Sequence, residues 1–147
     1  MLKADKKNWR AIGNRFVAKV RDQALIPLGF AVEVAKPLLY FVGPGNARTK
    51  KEDIFKAFDI YAIHGQEPPF NWLIQCTVGG GPRVWERKQK IIELAEFLSP
   101  DVGQKVQIWQ RDSAHKQLVH VFTYRKGGRF DTSELEFPHI GMEMINI

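Results

Sequence analysis

The stretch DIFKAFDIYAIHGQEPPFNWLIQCTVGGG, residues 53–81, decides the fold. Two apolar runs, IYAI and WLIQ, flank a polar turn that contains Pro68 and Pro69. Strand-forming residues on either side of such a turn predict a hairpin spanning Asp59–Ile63 and Trp72–Thr77. Side chains alternate along a strand, so Gln75 and Thr77 point to one side and Cys76 to the other. Pairing of the two runs brings Asp59 beside Gln75 at one end of the sheet. Oxygen donors gathered at a sheet edge suit a hard divalent cation such as Mg²⁺. The plainer alternative is that Asp59 caps a turn and Gln75 is a hydrogen-bonded residue at a strand end.

Outward from this stretch the chain alternates helix and strand signals. Trp9, Ile12, Phe16, Val20 and Ala24 recur at three- and four-residue steps, which predicts an amphipathic helix from about Lys6 to Leu28. Pro27 and Gly29 punctuate its end. FAVEVA (30–35) alternates as a strand does, and PLLYFVGP (37–44) is a second apolar run closed by Gly43-Pro44-Gly45. NARTKKED (46–53) reads as a charged loop. After VGGGP, residues Arg83 to Leu98 read as a helix, with Val84, Ile91, Leu94, Ala95 and Leu98 apolar and Arg83, Arg87, Lys88 and Lys90 basic. KVQIWQ and LVHVFTYR form a late strand pair. The tail from Gly127 is polar and ends in LEFPHIGMEMINI, which carries no clear pattern. The expected class is α/β, a central mixed β-sheet flanked by α-helices.

Composition narrows the function. The 147 residues suffice for one domain, residues 1–147, and leave little room for a second. A net charge of +6 favours a polyanionic partner. A single cysteine excludes an internal disulfide and a cysteine-rich zinc site, and suits a reducing cytoplasm. No apolar run reaches membrane-spanning length, and MLKADKKNWR has no signal-peptide core, so a cytoplasmic protein without a membrane partner is expected.

Other polar features carry less. Arg83, Arg87, Lys88 and Lys90 beside the Gly79-Gly80-Gly81 turn can neutralise DNA phosphates, or form a solvated helix face. Lys50 and Lys51, with Arg48, offer a second basic segment. GGGP lacks the Lys-Ser/Thr ending of a nucleotide-binding P-loop. His64, His115, His120 and His139 show no metal-ligand spacing. Cys76 reads as core. Trp72, Trp85 and Trp109 can stack on bases but more often build cores.

The order of elements, with Asp59 followed by Gln75-Cys76-Thr77, resembles the PD-(D/E)XK nuclease superfamily, which includes Holliday junction resolvases and many restriction enzymes. The resemblance spans roughly residues 9 to 125 and rests on four or five positions. It implies a restriction-endonuclease-like fold and a Mg²⁺- or Mn²⁺-dependent DNA endonuclease, acting on branched or phage-related DNA as a homodimer. By the same resemblance Asp53, Asp59 and Gln75 are metal ligands, and Asp59, Gln75, Thr77 and Lys88 are catalytic. Lys50, Lys51, Arg83, Arg87, Lys88 and Lys90 are the implied DNA contacts. The chain departs from the pattern at two places. Thr77 stands where the motif has lysine, and the first helix offers Val17 where relatives often have glutamate, leaving Asp22 or Glu33 as substitutes. A catalytically inactive DNA-binding or assembly module of the same fold is the alternative.

Overall fold

The computed structural model describes residues 9–35, 37–41, 45, 47–51, 53–55, 57–65, 70–112, 114 and 117–136, with backbone alone for 9–10, 37–41 and 47–51. Helix α1 (Trp9–Lys19) runs into a π-helical segment, Val20–Leu25, and a 3-10 turn, Ile26–Leu28. Phe16, Val17, Val20, Ala24 and Leu25 are buried, as the apolar stripe requires. Gly29 ends the helical path in the left-handed region (φ +92°), its N–H donating to Ile26 O at 2.9 Å.

That glycine is doubly required. A Cβ at Gly29 would sit 3.2 Å from His64 Nε2, and that nitrogen already donates to Leu28 O at 3.1 Å. Gly29→Ala is therefore expected to cost about 1–3 kcal/mol from backbone strain and the displaced imidazole. Urea unfolding checks this, and a loss under about 0.5 kcal/mol, the range of inert surface changes, would contradict it.

The strands are β1 (Ala31–Val34), β2 (Pro37–Phe41), β3 (Ala47–Lys51), β4 (Ile60–His64), β5 (Phe70–Val78), β6 (Gln104–Arg111), β7 (Leu118–Arg125) and β8 (Arg129–Glu136). Six form one mixed sheet in the order β1-β4-β5-β6-β7-β8. All neighbouring pairs are antiparallel except β5 and β6, which are parallel. A parallel pair needs a crossover, and α2 (Gly81–Glu93), followed by the 3-10 turn Ala95–Phe97, supplies it. The class is thus α/β, as expected.

The hairpin expected at residues 59–77 forms, with Ile60 facing Ile74 and Ala62 facing Trp72. β5 lies at the centre of the sheet and is buried continuously from Trp72 to Val78. Its even-numbered residues, Trp72, Ile74, Cys76 and Val78, pack beneath α1 with Ile60, Ala62, Trp109, Val119 and Val121. On the opposite face Leu73 packs with Phe58, Val106, Ile108, Tyr124 and Ile91 of α2. Cys76 is a buried core residue, as its alternation predicts.

Two expectations need correction. Residues 47–51, read as part of a charged loop, form β3 and pair antiparallel with β2, Lys50 facing Leu38 and Lys51 facing Pro37. The apolar run of β2 offers a backbone ladder, and lysine-rich strands are well tolerated where a sheet is only two strands wide. The polar tail from Gly127 contains β8, paired with β7 along its whole length. Gly127 (φ +92°) and Gly128 (φ +80°) make its turn. Phe130 reaches the α2-side core and Leu135 the α1-side core, so each face receives one apolar residue and no alternation was readable. The run from residue 137 onward lies outside the described residues.

Beside the α1-side core, Lys105 lies in register with Trp72, its Nζ 5.8 Å from the indole centroid. Burial, with a smaller contribution from Arg125, lowers its ammonium to about 8. An unfolded lysine holds its proton to about pH 10.4. Between these values the unfolded chain binds more protons than the folded one, so stability rises with pH across the window. The destabilising contribution is complete below about pH 8. Lys105→Met is expected to raise the urea midpoint at pH 7, with the gain shrinking towards pH 10. A gain that grew with pH would reverse this assignment.

Candidate functional site

Strand register arranges the α2-side face of the sheet into rows. Asp59 and Gln75 each lie one step beyond the last β4–β5 pair, Ile60↔Ile74. Gln75 is in turn beside Ile108, and Ile108 beside Phe122. The next row runs Thr77, Gln110, His120, Glu134 across four strands. Leu73 faces α2, so alternation puts Gln75 and Thr77 on that face too.

Asp59 is 3% exposed. Its N–H donates to Ile74 O at 2.9 Å, and its Oδ2 accepts the Cys76 N–H at 2.8 Å. The side chain thus takes over, at the end of the ladder, the acceptor role that a backbone carbonyl plays within it. A carboxylate has about four lone-pair positions, of which the Cys76 N–H takes one. Gln75 is 2% exposed. Its amide Nε2 donates to Cys76 O at 3.2 Å, while its carbonyl oxygen is buried with no hydrogen-bond partner. An unpaired buried acceptor costs about 1–3 kcal/mol and calls for an explanation. Thr77 is buried beside it.

α2 begins directly behind β5. Gly79 (φ +114°) turns the chain, its N–H donating to Arg111 O at 3.2 Å, and Gln110 Nε2 donates to Gly79 O. Gly80 is the N-cap without a side-chain cap, and Pro82 occupies the first turn. The positive end of the helix dipole therefore faces the Thr77 row. Val84, Arg87, Lys88 and Ile91 share the inner face of α2 by their spacing. Arg87 Nε is buried with no hydrogen-bond partner, a second orphan on the same side of the sheet as Gln75. Lys88 Nζ sits 4.6 Å above the Phe122 ring and 5.3 Å from Phe130, a cation–π placement two strands from Gln75. Arg83 is exposed, and so is Trp85 at 63%, whereas Trp72 and Trp109 are fully buried. Lys90 is half-buried. The side chains of Lys50 and Lys51 lie outside the described residues.

Other expected participants stand apart. Asp53 lines a neighbouring cavity with Glu33, and this cavity reaches the site through Ala35, whose N–H donates to Asp59 O at 2.8 Å. Asp22 is exposed and bonded to Arg21 at 2.7 Å, which holds its carboxyl below the usual range. Among the described residues, no three His, Cys, Asp or Glu side chains cluster to hold a metal. A cation here would therefore depend on Asp59 and the neutral Gln75 oxygen, within the one or two carboxylates that Mg²⁺ takes from proteins. Sequence reading missed Gln110, His120 and Glu134. His120 Nδ1 lies 3.5 Å from Glu134 Oε1. Only the pairing of β7 with β8 reveals that row. His115 and His139 lie outside the described residues.

Comparisons with protein-family models, curated proteins and solved structures found no match. No helix among the described residues is long and apolar enough to cross a membrane.

Proposed function

We propose that this chain is a metal-dependent DNA endonuclease of restriction-endonuclease-like fold. The observation that carries the proposal is the buried, unpaired carbonyl oxygen of Gln75, next in the chain to Cys76, whose N–H binds the Asp59 carboxylate. The topology supports it: a helix, the antiparallel meander β1-β4-β5, a helical crossover, and β6 parallel to β5. That order is the one the resemblance carried by Asp59 and Gln75-Cys76-Thr77 leads one to expect.

In this reading Asp59 and Gln75 hold Mg²⁺ or Mn²⁺. When bound, the cation supplies Lewis-acid polarisation of the phosphodiester and acidifies water. Asp53 is not carried into the ligand set, because it lines the adjoining cavity. Thr77 orients a phosphate oxygen or water by its hydroxyl. Arg87, with the N-terminal turn of α2, stabilises negative charge on the phosphate. Arg83, Lys90 and the exposed Trp85 form the nucleic-acid contact, by phosphate pairing and base stacking. A homodimer belongs to the proposal, since cleavage of both strands of a branched substrate takes two copies of the site.

One observation favours the second reading, a silent DNA-binding module. Thr77 carries no charge, and Lys88 is stacked over Phe122 and Phe130. Titrating Mn²⁺ into ¹⁵N-labelled protein separates the two. The nuclease reading expects paramagnetic broadening centred on the amides of Asp59, Gln75 and Thr77, abolished by EDTA. Uniform or absent broadening, with salt-sensitive DNA binding retained in EDTA, would favour the silent module.

A further inference from the structure

We infer that the α2 flank turned away from Asp59 is a site for unpaired nucleobases, so that the substrate is DNA carrying single-stranded bases rather than uniform duplex. With about 3.6 residues per turn, α2 presents two flanks on either side of its buried line, Val84 and Ile91. Arg83, Arg87, Lys90 and Leu94 follow one another by four, three and four residues and share the first flank. Leu94 lines the cavity that Tyr61 of β4 and Asn71 of β5 also line. This basic flank therefore leans toward β4 and β5, where Asp59 and Gln75 lie. Trp85, Lys88 and Ile92, spaced by three and four, share the second flank. Lys88 Nζ stands 4.6 Å above the Phe122 ring of β7 and 5.3 Å from that of Phe130 of β8, so this flank leans the other way.

The second flank has the make-up of a stacking platform. Trp85 is 63% exposed and Ile92 37%, whereas Trp72 and Trp109 are fully buried. An indole held in water carries a free-energy cost that a covering partner removes. Phe122 and Phe130, half-buried beneath Lys88, continue the apolar surface down to the sheet. Charge selects what covers this shelf. The chain carries a net charge of +6, and the opposite flank of the same helix is basic. A polyanion with flat aromatic groups meets both demands, its phosphates pairing with Arg83, Arg87 and Lys90 and a base lying on the indole. Glu86 and Glu93 occupy the outermost line of the helix, opposite Val84 and Ile91, and repel a backbone laid across it. The strand therefore rounds the N-terminal end, where Gly80 caps α2 without a side-chain bond and Gly81 stands one turn before Trp85. A base inside a duplex is already stacked and paired, and extruding it is costly, so Trp85 rewards bases that arrive unpaired. The inference deepens the proposed function and rests on its DNA partner, not on its cation.

Binding in EDTA tests it with three labelled probes: an oligothymidylate, an abasic strand of equal length, and a blunt duplex. Oligothymidylate is expected to bind about tenfold more tightly than the abasic strand, the effect of a stacked base. It is also expected to quench tryptophan emission, which the abasic strand and the duplex leave unchanged. Trp85→Ala should bring oligothymidylate and the abasic strand within about twofold and abolish the quenching, whereas Trp85→Phe keeps most of the preference. The exposed position leaves the fold intact, which equal urea midpoints check. Phe97→Ala, which removes an aromatic that is 74% exposed at the end of the helical segment, is expected to keep the preference. Equal affinity for the two single strands, a preference that survives Trp85→Ala, or equal quenching by duplex and oligothymidylate would each overturn the inference. So would self-association that Trp85→Ala abolishes, with no nucleic acid bound, which would assign the shelf to a second copy of the chain. With no metal present, these outcomes bear on Trp85, and a failed cleavage assay bears on Asp59 and Gln75.

Discussion

The Asp59→Asn variant is expected to fold normally and to lose metal-dependent DNA cleavage by about 100- to 1000-fold, the effect of deleting a main electrostatic stabiliser. Asparagine keeps a carbonyl oxygen where Asp59 Oδ2 accepts the Cys76 N–H at 2.8 Å, so the end of the β4–β5 ladder remains closed. What it removes is the negative charge on which a divalent cation depends. Asp59→Ala would confound the test, since it leaves the Cys76 N–H buried and unpaired at a cost of about 1–3 kcal/mol. Equal urea midpoints for wild type and Asp59→Asn, beside unequal cleavage rates, separate chemistry from stability. Cleavage unchanged in Asp59→Asn would remove Asp59 from the site.

The largest expected loss of stability is at Trp109. Its side chain is fully buried and meets Trp72 edge-on, with ring centroids 6.4 Å apart. Its Nε1–H donates to Gln107 Oε1 at 2.8 Å, and Gln107 Nε2 donates to Thr123 Oγ1 at 3.0 Å. This chain of bonds ties β6 to β7 within the α1-side core. Trp109→Ala is expected to cost about 3–5 kcal/mol through the cavity it opens. That is a large share of the roughly 5–15 kcal/mol that holds a typical domain folded. Trp109→Phe keeps most of the volume and removes the indole N–H bond to the buried Gln107 oxygen, so its loss is expected near 1–3 kcal/mol. Urea denaturation of both variants checks the order. A smaller loss for alanine than for phenylalanine would contradict the packing described.

Much of the architecture was legible because its signals are local. The step-of-four stripe Ile12, Phe16, Val20, Ala24 requires a helix, and the apolar runs around Pro68-Pro69 require two strands. The same alternation placed Cys76 in the core and put Gln75 and Thr77 together on the other face. β8 was not legible, since Phe130 and Leu135 serve opposite faces and the strand between them is polar. β3 was not legible either, because charge marks solvent exposure and says nothing about backbone pairing. The site divides in the same way. Asp59 and Gln75 lie just past the paired residues of the β4–β5 hairpin, which the two apolar runs predict. Asp53 lines the adjoining cavity from the turn before Asp59, a placement that a loop side chain has no period to announce. Lys88 was read as a catalytic and DNA-contacting residue, and its position over Phe122 and Phe130 depends on two strands far along the chain. The row from Thr77 to Glu134 depends on β6, β7 and β8 pairing in register, which no local pattern encodes.

The central claim is that Asp59 and Gln75 serve a cation that cleaves DNA. Nicking of supercoiled plasmid by the wild-type chain in Mg²⁺ or Mn²⁺, beside EDTA and Asp59→Asn controls, tests it most directly. The expected result is conversion to open circles that requires the metal and disappears in the variant. Plasmid left supercoiled by the wild type in either metal, or nicked equally by Asp59→Asn, would contradict it.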